Sequence, residues 1–146
     1  MAYLIDTGIL LRLFEQNDPH HPFIREALRN LIRRGEPLVT AVQNIAEFWN
    51  VSTRPVTARG GYGHTVARVQ RRVAIIERFC EVLAESDTSY AQWKRLVGSH
   101  EITGVAVHDA RLVALMHDRA VTHLLTLNCA DFARYTHVTA VLPIDV

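Results

Sequence analysis

Cysteine is scarce in this chain: Cys80 and Cys129 stand far apart, with no CxxC spacing. Two lone cysteines argue against a disulfide framework and a zinc ribbon, and a reducing cytoplasm is the expected compartment. Lysine is scarcer still. Lys94 is the only one, so nearly all of the 16 cationic side chains are arginine. Arginine suits bidentate phosphate contacts, but a high-GC genome produces the same bias, so this usage identifies no ligand. An excess of charge is also lacking: 16 Lys and Arg face 15 Asp and Glu, for a net charge of +1. The basic surplus that often marks nucleic-acid binding is therefore absent. No segment reaches the roughly 18 uninterrupted apolar residues of a membrane span. The apolar N-terminus, MAYLIDTGILLRLF, is broken by Asp6 and Arg12. It has neither a basic leader nor a small-residue cleavage site, and reads as structure rather than a signal peptide. Internal repeats and low-complexity tracts are missing too. A soluble, cytoplasmic protein is expected.

What is present is ordinary globular material: 146 residues, 49% hydrophobic and 21% charged. That length suits one domain able to bury its own core. The apolar run at residues 2–5 predicts a buried strand that delivers Asp6 at its C-terminal end. Residues 8–14 and 23–32 predict helices, the second with Phe23, Ala27, Leu28 and Leu31 on one face and Gly35 as its stop. PLVT at 37–40 is a second strand candidate. A helix carrying Ile45, Glu47, Phe48 and Trp49 follows. Residues 53–64, with three glycines and a proline, read as a mobile surface connection. Residues 66–79 predict an amphipathic helix, 80–83 a short strand, 90–97 a helix, and 110–116 a helix opened near His108 and Asp109. HLLT at 123–126 and residues 140–144 are the last strand candidates. Alternating strands and helices predict an α/β domain with a central, mostly parallel β-sheet flanked by α-helices.

In such sheets, ligands bind beyond the carboxyl ends of the strands. Asp6 follows the first strand directly, Asn128 and Asp131 follow HLLT, and Glu47 and Asp109 sit on helices directed to the same edge. Converging carboxylates repel one another unless a cation compensates. Hard oxygen donors suit Mg2+ or Mn2+ rather than zinc. A divalent ion so held supports hydrolysis of a phosphodiester. The bland readings are concrete. Asp6 could simply cap a helix, Glu47 could form a surface salt bridge, and Asp109 could complement a helix dipole. Asp131 could cap a turn before Phe132, while Thr7 and Thr126 could serve the backbone. None of the eight histidines shows ligand spacing with another His or Cys. The pairs Arg33–Arg34 and Arg71–Arg72 read as solvated helix faces.

Four segments together resemble the PIN-domain family, in particular the VapC-type toxins of bacterial toxin–antitoxin pairs. They are LIDTGILLRLF at 4–14, NIAEFWNV at 44–51, VHDARLVALM at 107–116 and LLTLNCADFARY at 124–135. They occur in the family's order and span nearly the whole chain. The resemblance implies a PIN-like fold over residues 1–146 and a Mg2+- or Mn2+-dependent endoribonuclease acting on single-stranded RNA. It also implies a homodimer and a small cognate antitoxin as partner. Asp6, Glu47 and Asp109 match three acidic metal-site positions of the family. Asn128 occupies the place where many members carry an acid, and Asp131 lies three residues later as the other candidate for that position. Gly8 stands where the family commonly has asparagine, which removes one hydrogen bond supporting the first acid. A PIN fold that binds RNA or protein without cleaving is the alternative from another class, and Asn128 is the feature in its favour. A metal-dependent phosphatase or DNA nuclease is the enzymatic rival.

Overall fold

The computed structural model describes all 146 residues. Five short strands, β1 (Tyr3–Ile5), β2 (Leu38–Ala41), β3 (Glu81–Leu83), β4 (His123–Leu125) and β5 (Thr139–Val141), form one sheet in the order β3-β2-β1-β4-β5. Every neighbouring pair is parallel, with Leu4 opposite Val39 on one side and Leu124 on the other. The sheet is thus wholly parallel. Parallel strands need crossover helices, and these cover both faces of the sheet.

The strand pleat sorts the core into two halves. Leu4, Val39, Ala41 and Leu124 face one way, against α5 (Asp87–Ser99) and α6 (Ala106–Asp118). Ile5, Leu38 and Leu125 face the other way. There they meet α1 (Thr7–Leu13), α2 (His21–Arg33), α3 (Val42–Thr53) and α4 (Val66–Phe79). Phe48, fully buried, packs in this second half, while Leu112, Val113, Leu115 and Met116 of α6 fill the first. Burial of such side chains on both faces is what makes strands of three or four residues sufficient.

Most expected elements lie where the hydrophobic pattern put them, but Phe23, read on the apolar face of its helix, is 47% exposed, and three further readings need correction. The candidate strand at 140–144 stops at Val141, because Pro143 opens a 3-10 turn, Pro143–Asp145. The glycine-rich stretch after α3 is not a free connection. Its amides return to the end of that helix, with Tyr62 N–H donating to Val51 O, His64 N–H to Ser52 O and Gly63 N–H to Arg54 O, at 3.0, 2.8 and 2.8 Å. These bonds satisfy carbonyls a helix C-terminus leaves orphaned. His64 Nε2 then meets Glu15 at 2.8 Å, and Arg72 Nη1 donates to the same oxygen at 2.8 Å. Arg72 also lies over the Phe14 ring, so it is an anchor of α4 rather than part of a solvated face.

Candidate active site

Along the sheet the chain runs outward from β1 to β2 to β3, then returns across β1 to β4 and β5. This reversal lies between β1 and β4, and crevices at such points are where parallel sheets place their ligands. Asp6 and Thr126 are the first residues beyond those two strands, and Asp6 N–H donates to Leu125 O at 3.1 Å.

Asp6 is the hub. It is the N-cap of α1, in extended conformation, and its Oδ1 accepts the Thr7 N–H at 2.8 Å. Its Oδ2 accepts the Thr126 hydroxyl at 2.7 Å. That hydroxyl in turn accepts the Asn128 N–H at 3.1 Å, so the β4 turn is locked against the acid. Glu47, one turn into α3, accepts the Thr7 hydroxyl at 2.7 Å and Gln43 Nε2 at 3.1 Å. Gln43 Nε2 also donates to His108 O at 3.1 Å, linking α3 to the first turn of α6, where Asp109 lies. Capping and site-building thus coincide at Asp6.

Asn44, the first residue of the NIAEFWNV segment, adds a contact that was not among the expected site residues. It is 1% exposed, accepts the Ala41 N–H at 3.1 Å, and donates to the Thr7 hydroxyl at 3.0 Å and more weakly to Asp6 Oδ1 at 3.4 Å. The hydrogen bond that Gly8 cannot give to the first acid therefore comes from α3. Position 8 itself is cramped: a Cβ there would stand 3.3 Å from the Arg12 guanidinium, which folds back to donate to Gly8 O at 3.1 Å. Thr7 and Thr126 serve the acids directly, not the backbone alone. The sequence signal for Gln43 is its i, i+4 spacing to Glu47 on α3; Asn44 has none beyond its place at the helix start.

The electrostatics tie the acids together. Burial raises the Asp6 pKa above the usual carboxylate range; the Thr126 and Thr7 hydrogen bonds oppose the rise, and the charges of Glu47 and Asp131 reinforce it. Asp109 is pushed up to about 6, first by burial and then by Asp131, Asp6 and Glu47. Four carboxylates therefore share one field. Asp131 sits in a 3-10 turn, Cys129–Phe132, and is exposed, as is Asn128 at the N-cap of that turn. Asp131, not the Asn128 side chain, adds charge to the group.

These side chains do not form a closed ligand set, since no three of them stand at metal-binding distances. Their chemistry nonetheless fits a hard divalent cation: oxygen donors alone, mutual repulsion awaiting a counter-charge, and a buried Gln43 Oε1 with no hydrogen-bond partner beside them.

No curated relative matches the chain. Among solved structures, it is similar to VapBC2 of Rickettsia felis, in a complex with a promoter DNA fragment, at 16% identity and a TM-score of 0.72 over 97% of this chain and 98% of that one. VapBC-1 of nontypeable Haemophilus influenzae is similar at 15% identity and TM-score 0.71, covering 98% of each chain. The Mycobacterium tuberculosis toxin VapC20, described as cleaving the sarcin–ricin loop, matches at 18% identity and TM-score 0.56 over 84% of this chain and 86% of that one. These identities speak for the fold. A family model decides the membership: it matches residues 3–138, and the chain belongs to the PIN domain family.

Proposed function

We propose that this protein is a Mg2+- or Mn2+-dependent endoribonuclease and the toxin of a toxin–antitoxin pair. The observation that carries the proposal is the shared field of Asp6, Glu47, Asp109 and Asp131 at the switch point of the sheet. Asp6, Glu47 and Asp109 would hold the ion, with Asp131 or Asn128 at its edge. The bound cation supplies activation of water and charge neutralisation at phosphorus. The chain's own part is positioning. Thr7 and Thr126 fix the carboxylate planes of Glu47 and Asp6, and Gln43 sets the spacing between α3 and α6. Two of the similar structures, solved as toxin–antitoxin assemblies, support an antitoxin partner.

Partner surfaces are available. Leu13, Phe14, Leu28, Ile32, Ile75 and Phe79 line an apolar groove between α1, α2 and α4 with a volume of about 430 Å3. An antitoxin segment or a second copy of the chain could seat there. No helix is long and apolar enough to cross a membrane.

The test is cleavage of single-stranded RNA in Mg2+, in Mn2+ and in EDTA, with Asp6→Asn as control. Activity that needs the ion and disappears in the variant is the expected result. Cleavage that persists in EDTA or in Asp6→Asn defeats the proposal. One observation favours a second reading, a PIN fold that binds without cleaving: the exposed Asn128 stands where many members carry an acid. Calorimetry that detects no Mg2+ or Mn2+ binding would select it.

A further inference from the structure

Beside the acids, on the opposite side of the first turn of α6, lies a separate cavity of about 320 Å3 between α5 and α6. Tyr90 and Trp93 form one wall, with ring centroids 6.2 Å apart and planes within 28° of parallel. Trp93 is fixed by its indole N–H, which donates to Val107 O at 2.8 Å; Tyr90 is 64% exposed. Arg111 and Glu85, joined by a two-pronged ion pair, supply charged donors and acceptors at the rim. His108 also lines the cavity, and its carbonyl is the one that Gln43 joins to Glu47. Residues 107–109 are thus a shared partition, with Val107 and His108 on the cavity side and Asp109 among the carboxylates.

We infer that this cavity receives an unpaired nucleobase of the RNA strand whose backbone lies at the carboxylates. This rests on the ribonuclease reading and extends it to how the strand is gripped. The chemistry matches at each surface. A base offers flat apolar faces, which stack on aromatic side chains, and a polar edge, which pairs with guanidinium and carboxylate groups. Nothing here depends on a basic patch, in keeping with the chain's near-neutral charge. Bases within a duplex are already stacked and cannot enter, so the cavity selects single strands. Tyr90 is exposed rather than packed in the core, so its ring is open to a stacking partner.

The experiment titrates the protein, in EDTA, with adenosine, guanosine, cytidine or uridine while following tryptophan fluorescence, with ribose as the base-free control. Saturable quenching by nucleosides and none by ribose is expected. It should survive Trp49→Phe, vanish in Trp93→Phe, weaken about tenfold in Tyr90→Ala and recover in Tyr90→Phe. With Mg2+ and single-stranded RNA, Tyr90→Ala should raise KM about tenfold with little change in kcat. Quenching no greater than with ribose overturns the inference, as does quenching that Tyr90→Ala leaves intact. So does a nucleoside-blind protein whose dimer Tyr90→Ala dissociates, since that makes the face a contact between copies. Nucleoside binding by a protein that fails to cut RNA in Mg2+ or Mn2+ defeats the ribonuclease reading alone; RNA cleavage by a nucleoside-blind protein defeats the cavity alone.

Discussion

The Thr7 hydroxyl donates to Glu47 Oε2 at 2.7 Å, joining the start of α1 to α3 across 40 positions of sequence. Thr7 can spend its proton on Glu47 because its lone pairs are met by Asn44 Nδ2 at 3.0 Å. Asp6, Thr7, Asn44 and Glu47 therefore form one connected unit whose polarity runs from amide to hydroxyl to carboxylate.

Asn44→Ala should break that unit. It strands the Ala41 N–H and removes the donor to Thr7 and Asp6, at a cost of about 2 kcal/mol of stability. Mg2+ affinity or cleavage rate should fall by roughly tenfold or more, the range known for groups that orient metal ligands. Urea denaturation and Mg2+ calorimetry measure the two effects separately; a variant with wild-type Mg2+ affinity and rate would show that Asn44 serves the fold alone.

Asp109 makes the metal-free protein sensitive to pH. Its folded-state pKa, about 6, lies above the ordinary 3.8 because of burial and its acidic neighbours. A raised carboxylate pKa means the folded state holds the proton more tightly than the unfolded chain does. Its contribution is complete below pH ~4 and is lost as pH rises to ~6. Thermal melts in EDTA of the wild type against Asp109→Asn should show this decline as a pH-dependent difference between the two. At pH 7.5, Asp109→Asn should stabilise the metal-free protein by about 1 kcal/mol, a figure reduced for the solvent screening of a half-exposed group. The same titration predicts that Mg2+ affinity weakens below pH ~6, because ion and proton compete for the group. Because Glu15 and Asp118 are shifted the other way, the reading is the difference between wild type and Asp109→Asn; a difference in EDTA melting temperature that stays constant from pH 4 to 7 would contradict both statements.

The glycine-rich stretch supplies a third case. A Cβ on Gly61, which is buried, would lie 2.4 Å from Arg54 O and 2.5 Å from Pro55 O, both rigid backbone atoms. Gly61→Ala should cost about 2 kcal/mol through forced displacement of the loop. Gly60→Ala meets nothing within 4 Å and is strained only by its φ of +71°, so about 1 kcal/mol is expected there. Denaturation midpoints rank the two, and an equal or reversed order would show that the close approach is relieved at no cost.

The family, the alternation of elements and the edge to which the acids run were legible because each depends on local patterning. Apolar runs end at Asp6 and after HLLT, and Val66–Phe79 has a regular helical stripe. Less legible was anything that depends on distant partners. Nothing near Arg72 in sequence shows that Glu15 and Phe14 await it. Nothing near Gly61 shows that its N-terminal neighbours fold back over it. Asn44 looked like one more polar residue opening a helix, and its role exists only because β1 and β2 are adjacent. Tyr90 and Trp93 passed as helix material, since their spacing is that of an ordinary core face.

The Thr126–Asp6 bond spans 120 residues, and β4 must lie beside β1 before it can form. A chain that ends short of residue 126 keeps the Thr7 and Asn44 contacts to Asp6 Oδ1 but has nothing to hold Oδ2. The strand that closes the far half of the sheet on β1 is therefore also the one that completes the hold on Asp6. Truncation before residue 126 would thus leave Asp6, Glu47 and Asp109 in the chain while removing one of the hydrogen bonds that orient the first of them.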